Sequence, residues 1–172
     1  MDTPNAFATT ILVASLMGAT PASAAPATRY LFDQGGPACQ LSVPTISSKV
    51  RPRANGMRNE GTANEFVICQ YSRNGGGSFK YVSISVSTFD GIDHAIQCTA
   101  MTGDVANGTS YSSKNFSTGT NPNWYGFAQW VPSDFGQAGT AFVNSTASVT
   151  CILPPGASII LVAASYDEDV GA

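Results

Sequence analysis

The sequence predicts an all-β protein, an antiparallel β-sandwich of about 8–9 short strands, with a barrel as second choice. Three observations carry this. One segment alternates strictly between apolar and polar residues. Strand-length pieces recur along the chain between Gly, Pro and Asn, and no stretch has a convincing 3.6-residue apolar period. Four cysteines follow an apolar N-terminal run.

Residues 1–24 read as a signal peptide. Phe7 to Gly18 is an uncharged apolar run, suited to a signal-peptide core and too short to span a bilayer as a helix. Ala22-Ser23-Ala24 is an A-x-A cleavage site, with Ala25-Pro26-Ala27 as a second match. The opening residues, Met1-Asp2-Thr3-Pro4-Asn5, lack the Lys or Arg such leaders carry. Cleavage after Ala24 implies a secreted or periplasmic protein. Residues 25–38 contain Gly35-Gly36-Pro37 and are expected to be an irregular lead-in. Residues 39–172 are expected to form a single disulfide-bonded β domain.

Within that domain the clearest strand is Tyr81 to Phe89, YVSISVSTF. Val82, Ile84 and Val86 share one face and Ser83, Ser85 and Ser87 the other, the pattern of a half-buried strand. Glu65 to Tyr71 precedes it across a glycine-rich turn. Ala95 to Met101, Trp124 to Val131, Ala147 to Leu153 and Ser158 to Tyr166 are further strands. Pro154-Pro155-Gly156 predicts a hairpin between the last two. Weaker strands are Gln40 to Val43, Lys49 to Arg53 and Ala141 to Asn144. Pro52 assigns the second of these to a sheet edge, since proline cannot donate to a ladder. FVICQY and SVTCIL each precede a turn and another strand. Internal duplication is one reading of that echo, and the ordinary likeness of Cys-bearing hairpins is the other.

Charged residues make up 11% of the chain and the net charge is −3. A nucleic-acid binder needs a basic surface to displace counterions, so no nucleic-acid partner is expected. No segment after the leader is long and apolar enough to be a membrane-spanning helix. Cys39, Cys69, Cys98 and Cys151 suggest two disulfides, with three possible pairings; Cys39–Cys69 with Cys98–Cys151 is the preferred one. There is no CxxC, and one histidine is too few for a His-based metal site. No metal and no cofactor is expected.

Catalytic signals are weak. His94 with Asp90 or Asp93 offers part of a hydrolase triad, but no G-x-S-x-G elbow accompanies it, and the segment also reads as a turn. Asp167-Glu168-Asp169 reads as a solvated tail rather than a calcium site. The domain is therefore expected to be non-catalytic.

Two segments are candidates for binding. NPNWYGFAQWV, residues 121–131, holds both tryptophans, and Trp124, Tyr125 and Trp130 are its candidate ligand-binding residues. On a strand, Trp124, Gly126, Ala128 and Trp130 would share one face, and Tyr125 and Phe127 the other. Sugar rings stack on such aromatic surfaces through their C–H faces; the competing reading is ordinary core. The second set is Arg51 and Arg53, which point the same way beside Lys49, with Arg58 following. They suit an acidic polysaccharide, or equally a charged edge strand that resists aggregation. The leading expectation is a module binding polysaccharide or a cell-envelope component. A secreted hydrolase near His94 and a structural or surface-assembly subunit are the alternatives.

Overall fold

The protein is described by a computed structural model over residues 26–43, 49–73, 77–106, 108–143 and 146–169. The expected leader, residues 1–24, lies outside the described residues.

The fold is a sandwich of two antiparallel sheets, one six-stranded and one five-stranded. The strands are β1 (Pro26–Gln34), β2 (Cys39–Leu41), β3 (Val50–Arg53), β4 (Gly56–Asn59), β5 (Glu65–Tyr71), β6 (Phe79–Thr88), β7 (Ala95–Asp104), β8 (Gly108–Ser117), β9 (Gly126–Trp130), β10 (Ala147–Leu153) and β11 (Ala157–Asp169). The six-stranded sheet runs β3-β4-β11-β6-β9, with β1 also paired to β11; the other runs β2-β5-β10-β7-β8. β11 serves two partners on one edge. Ser158 and Ile159 pair with β4, and Leu161 onward pairs with β1; on the other edge, the ladder with β6 shifts register between Ile159 and Leu161.

Period-two alternation builds the core. Val82, Ile84 and Val86 of β6 and Ile159, Val162 and Ala164 of β11 face Val67, Cys69, Val149, Cys151 and Leu153 of the opposite sheet, all of them buried. Tyr71 is buried too, and its hydroxyl donates to the Ser83 carbonyl across the sandwich at 2.7 Å. Burial pushes the Tyr71 phenol well above its ordinary pKa.

Both disulfides lie in the five-stranded sheet and join residues directly opposite each other. Cys39 of β2 bonds Cys69 of β5, and Cys98 of β7 bonds Cys151 of β10. They close loops of 30 and 53 residues, each contributing about 2–4 kcal/mol by restricting the unfolded chain.

Several expectations are corrected. Residues 26–34 are not irregular but form β1, because the free edge of the long strand β11 offers a full ladder of partners. Asp167 and Glu168 are not a solvated tail. They lie in β11, where Asp167 meets Thr28 and Lys80, and Glu168 meets Arg29. Pro154-Pro155-Gly156 closes no hairpin, since β10 and β11 belong to opposite sheets and the turn crosses the sandwich. The same holds for β5 and β6. The two strand–Cys–turn–strand arches therefore pair with each other, β5 with β10 and β6 with β11, and Cys69 lies opposite Val149 while Cys151 lies opposite Val67. Ala141 to Val143 is a loop, from which Phe142 enters the core against Phe135.

Candidate functional site

The outer face of the six-stranded sheet carries a furrow. β6 lies between β11 and β9, so its outward side chains, Ser83 and Ser85, sit at mid-sheet. Ser85 is opposite Phe127 on one side and Leu161 on the other; Ser83 is opposite Gln129 and Ala163, and Ala163 is opposite Phe32 of β1. Short hydroxyls between tall rings leave a groove. The serines form its floor and are only 3% and 5% exposed, although they point away from the core. The reading of this strand as half-buried is thereby corrected, since its serine face is buried as well. The rings along the sides stand free, with Phe32 64%, Tyr125 62% and Phe127 50% exposed. Tyr30 stacks beside Phe32 at 6.4 Å and lengthens that wall. The groove has a volume of about 470 Å³, and among the described residues no charged side chain lines it.

Local sequence explains how the opposite wall is held. Asn121 accepts from the backbone N–H of Asn123 through its side chain and from that of Trp124 through its carbonyl, forming a tight turn. Ser87 clips this turn to β6 by donating to the carbonyls of Pro122 and Trp124. Gly126 then starts β9 against the end of β8, where a Cβ would collide with the Ser117 carbonyl oxygen. Tyr125 is thus presented to the furrow, and Trp124, 72% exposed, stands beside it in an adjoining hollow with Asn123.

The residues singled out in the sequence separate. Trp124 and Tyr125 come together with Phe127 on the outside. Trp130 is 0% exposed and belongs to the core, where its indole N–H donates to the Ser112 carbonyl at 3.0 Å and Lys114 lies over its ring. The expected common face of Trp124 and Trp130 fails because the strand begins only at Gly126; Trp124 is in the preceding turn, outside the alternation. Arg51 and Arg53 lie on β3, at the opposite edge of the sheet from β9. Both clasp Glu60, with Arg53 Nη2 to Glu60 Oε2 at 2.6 Å and Arg51 Nη2 to the same oxygen at 2.9 Å. The bonds from Arg53 and then Arg51 hold the Glu60 carboxyl down at about 2.

His94 takes part in a loop tie. Its Nε2 meets Asp90 Oδ1 at 2.9 Å, and Asp90 also accepts from the Thr88 hydroxyl and the Ile92 amide. Burial works to raise the Asp90 carboxyl, but the Ile92 amide, the Thr88 hydroxyl and His94 outweigh it and hold it at about 2. Gly156, at φ +83°, packs against the pair so closely that a Cβ would strike both Asp90 and His94. The hydroxyl bonded to this acid is a threonine. Among the described residues no group of three or more His, Cys, Asp or Glu side chains is placed to hold a metal ion. No helix among them is long and apolar enough to cross a membrane.

Sequence reasoning left out Phe32, Tyr30 and the floor serines. Phe32 and Tyr30 are one strand position apart in period and share a face, a pattern visible in RYLFDQ, but glycines just beyond hid it.

No protein-family model and no curated protein matches the chain. Among solved structures, it is similar to the crystal structure of a Podospora anserina GH26-CBM35 β-(1,4)-mannanase, at 10% sequence identity and a TM-score of 0.41. The likeness covers 78% of this chain and spans 27% of that one.

Proposed function

We propose that the protein is a non-catalytic recognition module that lays a segment of polysaccharide, or a glycan of the cell envelope, along the furrow. The observation that carries this is the pair of exposed aromatic walls, Phe32 on one side and Tyr125 and Phe127 on the other, over a floor of serine hydroxyls. A sugar ring offers apolar C–H faces and polar edges. Aromatic walls suit the first, and the Tyr hydroxyls, Gln129 and serines suit the second. An uncharged groove fits a neutral ligand segment and asks for little desolvation of charge. Exposed rings on an outer sheet face contribute little to the core, so binding is a ready explanation for their presence there. Two disulfides fit an oxidising compartment, which agrees with export through the expected leader.

The test is retention of the protein on a panel of insoluble polysaccharides and cell-envelope fractions, with Trp124→Ala and Phe127→Ala alongside. At least one matrix should retain the parent protein. Each variant should weaken retention roughly tenfold, as loss of an aromatic anchor does. Its unfolding free energy should stay within about 0.5 kcal/mol of the parent. Equal retention of parent and both variants, or retention of the parent on nothing in the panel, would overturn the reading.

A further inference from the structure

The furrow continues past Leu161 into a second recess, of about 640 Å³, that shares Ile160 and Leu161 with it. Its chemistry is different. Arg58 of β4 is directly opposite Ser158 of β11, and Ser158 is opposite Ser87 of β6, so the three form one row across the outer face. Ser87 is occupied by the turn that carries Trp124. The other two are not. Arg58 Nε and Ser158 Oγ are both buried and neither hydrogen-bonds any group among the described residues. Ser158 is 3% exposed.

Burying a donor without an acceptor is costly, and folded proteins rarely do it without a reason. The surroundings sharpen the point. The guanidinium of Arg58 lies over the Phe89 ring, 5.0 Å from its centre, which fixes its plane without neutralising it. The residue opposite it on β3 is Arg51, another cation, which shares the single carboxylate of Glu60 with Arg53 and so leaves this corner of the sheet with a net positive charge. Among the described residues no acidic side chain lines the recess. An oriented guanidinium whose buried Nε–H lacks an acceptor, opposite a hydroxyl that also lacks one, is what an oxyanion completes.

We propose that this recess binds the carboxylate or sulfate substituent of an acidic glycan whose neighbouring ring lies in the aromatic furrow. This rests on the glycan reading above and narrows it. The furrow would hold the uncharged ring faces, and Arg58 with Ser158 would select for the acid.

The direct test follows the side-chain Nε–Hε resonance of Arg58 by NMR in the folded protein, assigned with Arg58→Lys, during titration with glucuronate, inorganic sulfate and methyl glucoside. A saturable shift with glucuronate supports a carboxylate ligand. A saturable shift with sulfate alone supports a sulfate ester. No saturable shift with either anion, or an equal shift with the neutral glucoside, overturns the proposal. This readout does not depend on the aromatic walls. If the panel of polysaccharides retains nothing while Arg58 still titrates, the furrow reading fails and the recess stands. Ser158→Ala supplies a second check. It removes an unpartnered hydroxyl, so its melting temperature should match or exceed the parent's, while affinity for the anion that shifts Arg58 falls roughly 10- to 100-fold. Unchanged affinity in that folded variant contradicts the role given to Ser158 and with it the two-donor site.

Discussion

Two tryptophans six positions apart have opposite fates, and the difference shows what a single residue can and cannot reveal. Trp130 stands in register with Val82 on the inner side of β9, and its indole N–H is satisfied by a backbone carbonyl of β8. Trp124 stands one turn earlier, held by Asn121 and Ser87, with its ring outside. Their composition is the same; what separates them is the point where the strand begins. That point is set by Gly126, whose missing side chain lets β9 pass the end of β8. A reading that began the strand at Trp124 therefore placed both rings on one face. Trp130→Ala should cost about 3–5 kcal/mol in denaturant unfolding, the loss expected for a buried aromatic ring. A cost below about 1 kcal/mol would mean that Trp130 is not core.

At the scale of elements, legibility followed hydrophobic contrast. β5, β6, β7, β10 and β11 alternate or run apolar, and their sequence bounds lie close to those in the structure. β8, GTSYSSKNFS, gave no such signal. Its inward positions are Ser110, Ser112, Lys114 and Phe116, and it closes the corner with β9 by polar bonds, Lys114 to the Gln129 carbonyl and to Asp134. β1 was hidden because its pairing partner, β11, lies at the other end of the chain. The disulfide pairing had no signature in spacing; it is decided by sheet register, which places each cysteine directly opposite its mate. The loop between β6 and β7 has its own testable property. A carboxylate whose pKa falls on folding adds stability that is present above its unfolded value, about 3.9 for Asp, and is lost as pH drops through the folded one. Asp90 is held at about 2, as is Glu60. The melting temperature should therefore fall as pH is lowered from about 4 to about 2, and Asp90→Asn should flatten part of that fall, leaving the part due to Glu60 and to Asp167, whose carboxyl Lys80 and Thr28 also hold below its ordinary range. An identical pH profile in the variant would show that the tie to Thr88, Ile92 and His94 does not stabilise the fold.

At the scale of the molecule, the two outer faces of the sandwich differ. The five-stranded sheet presents a row of small polar side chains, Thr150, Thr99 and Ser113, with Thr99 and Ser113 hydrogen-bonded at 2.7 Å, and its exposed rings, Phe66 and Tyr111, stand on separate strands, β5 and β8. The six-stranded sheet presents aromatic walls, a sunken serine floor and an adjoining recess with the unpartnered Nε of Arg58. The sandwich was legible because alternation and turn residues determine it. The furrow was half legible. Trp124 and Tyr125 stood out as residues, but the groove needs four strands in register, and β1, β11, β6 and β9 come from separate parts of the chain. The charged pair Arg51 and Arg53 drew attention in the sequence, yet Glu60 engages both, and it is Arg58 whose buried Nε has no hydrogen-bond partner among the described residues.

The central claim is that ligand is held on the furrow face, and backbone amide mapping by NMR tests it most directly. Isotope-labelled protein would be titrated with soluble oligosaccharides of whichever polysaccharide retains it. The account predicts that the shifted amides cluster at Phe32, Ser83, Ser85, Tyr125 to Gln129 and Leu161 to Ala163. Shifts confined to the outer face of the five-stranded sheet, or to the loop around Asp90 and His94, would contradict it.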